Sequence, residues 1–298
     1  MNFPPTFKQL RYLVALAKTL HFGKAADDCS VTQSTLSAGI QELESLLDAT
    51  LVERSKRSVM LTPLGEAIVE RAEKILNDVN DLVGLAIAEN NPSAGTVRLG
   101  IIPTIAPFIL PRIMPAIEEA MPDLVVHLRE EKSADLCDQL RRGDLDLVLY
   151  ALPYPCGEAV EHPLFEDRFV AVYPEGSAPD KPITPDALKQ EKLMLLEEGH
   201  CLREHALDAC RLSDLKAPDT FAGTSLHTLV QMVAAGHGVT LLPGMAVDAG
   251  LIDGLKVKPV TFEDLTPQRT IGLLWRKTNP REKTFKRLGD VIVGAMGT

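Results

Sequence analysis

Apolar residues recur every three or four positions in two stretches near the start of the chain, which predicts two helices with one buried face each. The first helix runs from Phe7 to about Leu20. The second follows the connection "HFGKAADDCSV", and Thr32 or Ser34 can cap its first turn. Its apolar face is formed by Leu36, Ile40, Leu43 and Leu47. Two short helices joined by a tight connection are typical of a helix-turn-helix.

The segment "TLVERSKRSVMLTP" has a different pattern. Leu51 is followed by charged residues, the chain turns at "RSKRS", and apolar positions return at Val59 and Leu61 before Pro63. This pattern predicts a small β-hairpin, or wing, after the second helix. Residues 1–62 are therefore expected to form a winged helix-turn-helix domain, an all-α head with a wing.

A long helix is predicted from Pro63 to about Asn90, because apolar residues are separated there by alternating steps of four and three. Two interpretations of this seam remain open. The helix can pack on its own domain, or residues 63–90 can form a linker helix that pairs two chains. Polar residues around the seam favour the linker. The seam consists of Ile68, Ala72, Ile75, Val79, Leu82 and Ala86.

Beyond "ENNPSAG", short apolar runs alternate with helical segments, which indicates a parallel α/β sheet. The first series contains "TVRLGIIP", "LVVHL" and "LDLVLYAL", with helices expected at Leu110 to Ala120 and at Ser133 to Gly143. The second contains "DRFVAVYP", "KLMLLEE", a helix across Cys201 to Cys210, "SLHTLVQMVAAGHG" and "VTLLP". The strand "RTIGLLWR" and the helix "REKTFKRLGDVIVGAM" are expected to return to the first series.

These patterns predict an effector domain over residues 91–298, built from two αβ lobes with a cleft between them. Lobe I is expected to contain residues 91–165 and 267–298, and lobe II residues 166–266. The chain begins without a basic segment followed by an apolar run, and it has no apolar stretch long enough for a bilayer. We therefore expect a cytoplasmic protein that does not bind a membrane.

The net charge of −10 argues against a surface that coats nucleic acid non-specifically, but it leaves room for a small reading head. Within residues 1–62, seven lysines and arginines face six aspartates and glutamates. Because neutralised phosphates supply much of the affinity for DNA, one such head should bind weakly. Pairing two heads through the long helix would raise the affinity by effective concentration.

Polar residues at the start of the second helix are the candidates for contact with double-stranded DNA. A recognition helix places such residues against base edges, while a wing touches phosphates. The alternative is that these polar residues form a solvated helix face without a role in binding. The candidates on the helix are Gln33, Ser34, Thr35 and Ser37, and those on the wing are Arg54, Lys56 and Arg57.

The chain has five cysteines, which in a reducing cytosol should not form a structural disulfide framework, so that any disulfide would be transient, catalytic or sensing. Cys29 and Cys137 lie on predicted helices and are interpreted as core residues. Cys201 and Cys210 stand in "EEGHCLREHALDAC". On one regular helix their positions would lie about 13 Å apart and on roughly opposite faces. A bond between them would then require this segment to unwind.

Two other interpretations of this segment remain open. The two cysteines can be an inert buried pair. Alternatively, His200, Cys201, His205 and Cys210 can hold a metal, although no CxxC pair is present.

The stretch "LRYLVALAKTLHFGKAADDCSVTQSTLSAGIQELESLLDATLVERSKRSVMLTPLGE" resembles the N-terminal signature of LysR-type transcriptional regulators. Four further segments resemble the OxyR branch, the hydrogen-peroxide sensors, and the match spans essentially the whole chain. They are "GIIPTIAPFILP", "EEGHCLREHALDAC", "TSLHTLVQMVAAGHGVTLLP" and "RTIGLLWR". The resemblance implies a winged helix-turn-helix, a linker helix and a two-lobed effector domain like a periplasmic binding protein.

The resemblance also implies roles for single residues. Cys201 would be the peroxidatic cysteine, oxidised to a sulfenic acid, and Cys210 the resolving cysteine that converts it into a disulfide. His200, Thr104, Ser133 and Arg269 would bind peroxide and stabilise the thiolate. The position of Cys201 near a helix start and the charge of Arg269 are expected to lower its pKa. Gln41 and Glu42 depart from the family, which often has basic residues there, and Cys156 has no family role.

The implied function is transcriptional regulation rather than enzymatic catalysis, with no cofactor and no metal. The implied partners are a double-stranded DNA operator, hydrogen peroxide, further copies of the chain in a dimer and a tetramer, and RNA polymerase. Two alternatives remain open: a thiol peroxidase, and a LysR-type regulator that binds a small organic effector in the cleft near Thr104 and Ser133.

Overall fold

The computed structural model describes residues 4–54, 58–197, 199–212, 223, 225–263 and 266–297. Contacts divide the chain into two compact units. The first contains Met1–Ala86 with Arg142–Asp144, and the second contains Ile87–Arg141 with Leu145–Thr298.

Three helices form the head of the first unit: α1 (Phe7–Thr19), α2 (Phe22–Asp28) and α3 (Gln33–Leu47). The predicted apolar faces are buried, with Leu13, Leu36 and Ile40 fully enclosed. Thr32 caps α3 by accepting the backbone N–H of Thr35 at 3.2 Å. The expected helical faces and the expected cap are thus both present.

Helix α2 was not expected, because it lies within the connection "HFGKAADDCSV". Its seven residues are too few to establish an apolar period. Its start is stabilised by His21, whose Nδ1 accepts the backbone N–H groups of Gly23 at 3.1 Å and Lys24 at 3.3 Å. The helix-turn-helix therefore consists of α2 and α3, and α1 packs against both.

The expected wing is a two-stranded antiparallel hairpin of β1 (Val52–Arg54) and β2 (Val59–Leu61). Glu44 of α3 positions its start, since one carboxylate oxygen accepts the N–H groups of Leu51 at 2.8 Å and Val52 at 3.0 Å. Lys56 and Arg57 lie outside the described residues, and so does the side chain of Arg54.

Helix α4 (Pro63–Asn90) has the predicted bounds, but its seam divides between two environments. Ala72 is buried in the head, where Ile68 and Leu76 also pack. Ile75, between Ala72 and Leu76, is 44% exposed, and Leu82 further along is 66% exposed within this chain. The face of the helix that carries Ala72 thus completes the head, while Ile75 and Leu82 form an exposed apolar edge.

In the part of the chain that the structure describes, the second unit is built on an eight-stranded sheet, and one long strand of it runs through both lobes. Strand β6 (Ala159–Pro174) has sixteen residues. Residues up to 168 pair with β10 (Gln268–Arg276) in lobe I, and those from 169 onward pair with lobe II strands. The other lobe I strands are β3 (Gly95–Ile101), β4 (Leu124–Glu130) and β5 (Leu147–Leu152). The lobe II strands are β7 (Leu193–Met194), β8 (Val239–Pro243) and β9 (Val257–Val260).

The expectation of a parallel sheet is only partly met. Strands β4, β3 and β5 are parallel, and so are β7 and β8. Strand β10 runs antiparallel to both of its neighbours, β5 and β6. Because β10 enters lobe I only after the chain has passed through lobe II, it is not part of a regular strand–helix–strand series.

Helices cover the sheet in both lobes. The lobe I helices are α5 (Ala106–Ala120), α6 (Ser133–Arg142) and α10 (Glu282–Met296), and the lobe II helices are α7 (Cys201–Ala209), α8 (Leu226–Ala234) and α9 (Gly244–Asp248). Helix α5 begins four residues before the expected Leu110 and continues through Pro111 and Pro115. Its buried positions, which include Ile109, Ile113 and Ile117, hold it against the core despite the prolines.

None of the described helices is long and apolar enough to cross a bilayer.

Two glycines offer a matched test of the lobe I packing. A Cβ on Gly272 would lie 2.3 Å from the Leu152 Cδ1 atom and 2.7 Å from the His162 carbonyl oxygen, whereas one on Gly294 of α10 meets nothing within 4 Å. We expect Gly272→Ala to destabilise the second unit by about 1–3 kcal/mol through overpacking. Gly294→Ala should stabilise it by about 0.5–1 kcal/mol, because alanine favours a helix. Thermal unfolding of both variants measures this; equal midpoints would contradict the packing at Gly272.

Candidate functional site

The start of helix α3 presents the polar residues expected to contact DNA. Gln33, Ser34 and Thr35 are exposed, and Ser37 is half-buried. The hydroxyl of Thr32 lies 3.0 Å from the Ser34 hydroxyl and 2.8 Å from the Thr35 hydroxyl. The capping group thus holds two of the candidate side chains in place. Gln41 and Glu42 are also exposed on α3.

The two cysteines of interest mark the ends of helix α7. Cys201 is its first residue and Cys210 is the residue that caps its end. Both are free thiols and both are buried, at 3% and 0% exposure. A nine-residue helix keeps their backbones apart, as the sequence predicted, so a bond between them requires α7 to change shape.

The Cys201 thiol, on a lobe II helix, is surrounded by groups from lobe I. Burial raises its pKa, and this effect outweighs a hydrogen bond from the Ser133 side chain, the charge of Arg269 and the backbone of Ala151, which all lower it. The expectation of a lowered pKa is therefore not met in this state of the protein. The reason is desolvation, which the position at a helix start does not overcome.

Burial also governs the other thiol. It raises the pKa of Cys210 to about 12, and no charged group among the described residues counters it. Within the described part of the chain, Cys201 thus has polar neighbours that Cys210 does not share, which distinguishes the two thiols chemically.

Arg269 is fixed by a buried network. Its Nε donates to Asp167 at 3.0 Å, and its two terminal nitrogens donate to the Thr104 hydroxyl at 3.2 Å and the Thr104 carbonyl at 3.0 Å. Asp167 also accepts the backbone N–H of Met245 at 3.0 Å. Thr104 and Arg269 are thus brought together as expected, whereas the importance of Asp167 was not evident from sequence.

His200 precedes α7 but does not cap it with its side chain. It is buried, and its Nε2 has no hydrogen-bond partner among the described residues. Burial lowers its pKa, and nearby Lys132 lowers it further, while Glu197 opposes them. The imidazole is therefore favoured in its neutral form.

A cleft of about 410 Å³ opens between the lobes beside this cluster. Thr104 and His200 reach its wall, with Lys132 and Glu131 from lobe I and His227 from lobe II. Lys132 forms an ion pair with Glu197. Cys201 is not among the residues that line the cleft.

Three further residues make contacts at the site that the sequence did not predict; of these, only His205 had been considered, as a metal ligand. The Tyr150 hydroxyl donates to the backbone carbonyl of Ser133. His205 Nε2 lies 3.2 Å from the Pro153 carbonyl oxygen, and burial lowers the pKa of this histidine. Asp167 anchors Arg269. None of these contacts follows a spacing in the sequence, since each joins segments separated by at least 17 residues.

The interpretation of Cys137 as a core residue without chemistry is corrected by the structure. Cys137 forms a disulfide with Cys156, and their Cα atoms lie 5.5 Å apart. Cys29 is a buried free thiol in the head, as expected. Among the described residues, no group of three or more His, Cys, Asp or Glu side chains is placed to hold a metal ion.

Both units of the chain match known protein families. Residues 7–66 match the bacterial regulatory helix-turn-helix proteins of the lysR family, and residues 90–297 match the LysR substrate binding domain. The regulator EstR of Acinetobacter baylyi is 41% identical over 97% of this chain and 96% of its own length. The transcriptional dual regulator OxyR of Escherichia coli is 38% identical over 97% of this chain and 95% of its own length.

A solved structure of a full-length OxyR variant from Pseudomonas aeruginosa is 36% identical, with a TM-score of 0.78 over 97% of this chain and 95% of that one. The winged head, the long helix and the two-lobed second unit agree with these relatives along nearly the whole sequence. The chain therefore belongs to the LysR family of transcriptional regulators, in the branch that contains OxyR.

Proposed function

We propose that this protein is a peroxide-sensing, DNA-binding transcriptional regulator in which Cys201 reacts with hydrogen peroxide. The observation that carries the proposal is the arrangement at α7. A free thiol with polar neighbours begins the helix, and a second free thiol ends it. Relatives named as hydrogen-peroxide-inducible genes activators, such as the probable one of Streptomyces viridosporus at 40% identity, support it.

The proposed chemistry has two steps. The Cys201 thiolate attacks one peroxide oxygen, the O–O bond breaks, and protonation of the departing hydroxide gives water and a sulfenic acid. The Cys210 sulfur then attacks the Cys201 sulfur, the S–OH bond breaks, and a second water leaves with the thiol proton. Peroxide is reduced by two electrons, and the two thiols become one disulfide.

The polar residues of the site have separate roles in the proposed reaction. Ser133 and Arg269 favour the thiolate, since both lower the thiol pKa. Thr104, held by Arg269, supplies a hydroxyl beside the cleft, and neutral His200 supplies a ring nitrogen that has no hydrogen-bond partner among the described residues. These groups are suited to bind the two oxygens of hydrogen peroxide.

DNA recognition is assigned to the head. Gln33 and Ser34 on the exposed start of α3 are proposed to contact base edges, with Thr35 and Ser37 on bases or phosphates. Arg54, Lys56 and Arg57 of the wing are proposed to contact phosphates. The long helix would pair two heads, contacts between effector domains would join dimers into a tetramer, and RNA polymerase would be the partner whose recruitment changes.

A second candidate function follows from the cleft. Its volume of about 410 Å³ lies within the range of small-molecule sites. A regulator that binds a small organic effector there would respond to that compound and would keep its DNA contacts when treated with peroxide. Insensitivity of DNA binding to peroxide would therefore favour this function.

Replacement of Cys201 and replacement of Cys210 should affect the peroxide response differently. Cys201→Ser should abolish the peroxide response, because the attacking sulfur is lost. Cys210→Ser should still consume about one equivalent of peroxide and stop at a sulfenic acid or a mixed disulfide.

Mass-spectrometric peptide mapping of wild type should show a Cys201–Cys210 bond, and footprinting should show that the protected DNA shifts. Cys29→Ser is the matched control and should behave as wild type. A normal peroxide response in Cys201→Ser would contradict the proposal.

The reaction with peroxide should depend on pH through the Cys201 thiol. Because the thiolate reacts, the rate rises as the pH approaches the raised pKa of Cys201. Ser133→Ala removes a hydrogen bond that lowers this pKa, so the rate at neutral pH should fall and the rate–pH curve should move to higher pH. Stopped-flow kinetics measures this, with Ser177→Ala, an exposed serine of lobe II, as the control. An unchanged curve for Ser133→Ala would show that its hydroxyl does not favour the thiolate.

The exposed edge of α4 should mediate pairing of chains. Ile75→Glu and Leu82→Glu place charges on this edge, so they should convert dimers to monomers and weaken operator binding. Ile75→Leu keeps the position apolar and should bind as wild type does. Sedimentation and DNA titration test both outcomes. If the glutamate variants remain dimeric, the chains do not pair through this edge.

A further inference from the structure

The disulfide between Cys137 and Cys156 joins two elements of lobe I that both touch the Cys201 site. Cys137 lies in the first half of α6, and Cys156 lies in the loop that follows β5. The two cysteines are 5% and 3% exposed. No role in the proposed peroxide reaction uses either of them.

Helix α6 connects this disulfide to Cys201 within one helical turn. Ser133, which hydrogen-bonds the Cys201 thiol, is four residues before Cys137, so both lie on one face of α6. The Tyr150 hydroxyl joins the same turn, because it donates to the Ser133 carbonyl and interacts with the backbone of Cys137. A movement of Cys137 would therefore displace the Ser133 hydroxyl, which favours the Cys201 thiolate.

Strand β5 and the loop after it provide a second connection. The Ala151 backbone interacts with the Cys201 thiol, and the Pro153 carbonyl lies 3.2 Å from His205, one turn after Cys201 on α7. The Tyr154 ring packs on Tyr150 with their centroids 4.9 Å apart. The loop that carries Cys156 is therefore in contact with the same helix that Cys201 begins.

The surroundings of Cys156 allow the bond to open without disruption of the sheet. Its neighbours Pro155 and Gly157 are both exposed, and Gly157 adopts a φ of +67° that favours glycine. A local movement of this loop would expose the Cys156 sulfur to a small thiol, while β5 keeps its pairing with β3 and β10.

We propose that Cys137 and Cys156 form a second thiol–disulfide couple that adjusts the reactivity of Cys201. The bond holds Ser133 and the Pro153 loop in the positions described above, and its reduction releases both. The reduced couple therefore gives a less reactive Cys201. The effect on signalling rests on the proposed function of Cys201, but the couple itself does not.

The couple exchanges with low-molecular-weight thiols and disulfides. In oxidation, the Cys156 thiolate attacks a small disulfide, R–S–S–R, whose S–S bond breaks to release one thiolate. The Cys137 thiolate then attacks the Cys156 sulfur and releases the second thiolate. Two electrons pass from the protein sulfurs to the released thiols, which take up the two protons. A small dithiol reverses both steps.

The first experiment asks whether the couple is redox-active in the folded protein. Full-length protein carrying both Cys201→Ser and Cys210→Ser is equilibrated in mixtures of reduced and oxidised dithiothreitol, alkylated, and mapped by mass spectrometry. We expect the Cys137–Cys156 bond to form and break reversibly while the near-ultraviolet circular dichroism stays native. A pair that remains two thiols in every mixture overturns the proposal. So does a bond that is reduced only after urea is added, since it would be purely structural.

The second experiment measures the coupling to Cys201. The rate of alkylation of Cys201 by iodoacetamide is followed in wild type, Cys137→Ser, Cys156→Ser and the control Cys29→Ser. We expect the first two variants, and wild type with the couple reduced, to react several-fold more slowly than wild type with the bond formed. Cys29→Ser should match wild type. Equal rates in all forms overturn the coupling. Because alkylation requires no peroxide, this result stands even if Cys201 proves unreactive toward peroxide.

Discussion

The effector unit depends on the buried ion pair between Arg269 and Asp167. The Arg269 side chain is fully enclosed, and the Asp167 side chain is nearly so. Removing one partner of a buried ion pair typically costs about 3–5 kcal/mol, because a charge is left without compensation. Through Asp167 and Thr104, this one cation joins β10, β6, the segment before α5 and the start of α9. It therefore fastens lobe I to lobe II at the point where the Cys201 thiol lies.

The same burial that makes Arg269 effective also opposes ionisation of Cys201. Desolvation raises the thiol pKa, and the serine hydroxyl and the guanidinium lower it. A difference of one pKa unit corresponds to about 1.4 kcal/mol, which is comparable to one hydrogen bond. Small displacements of Ser133 or Arg269 would therefore change the ionisation of the Cys201 thiol.

Periodic features were predictable from the sequence, and contacts between distant segments were not. The faces of α1 and α3, the bounds of α4 and the helix between Cys201 and Cys210 all follow from local spacing. Helix α2 escaped detection because seven residues carry no period, and the start of α5 was placed four residues too late. The pairing of Cys137 with Cys156 and the anchor at Asp167 depend on tertiary proximity. The raised pKa of Cys201 depends on burial, which no motif reports.

The continuity of β6 restricts how this chain can change in length. Successive side chains of a strand point to opposite faces, so one inserted residue reverses every side chain that follows it. In most strands such a reversal affects one sheet edge, but β6 lies in the sheets of both lobes. An insertion within it would turn the core face outward in one lobe while the other remained correct. An added residue within β6 is therefore tolerated only where a β-bulge absorbs it, as happens for Leu164 beside β10.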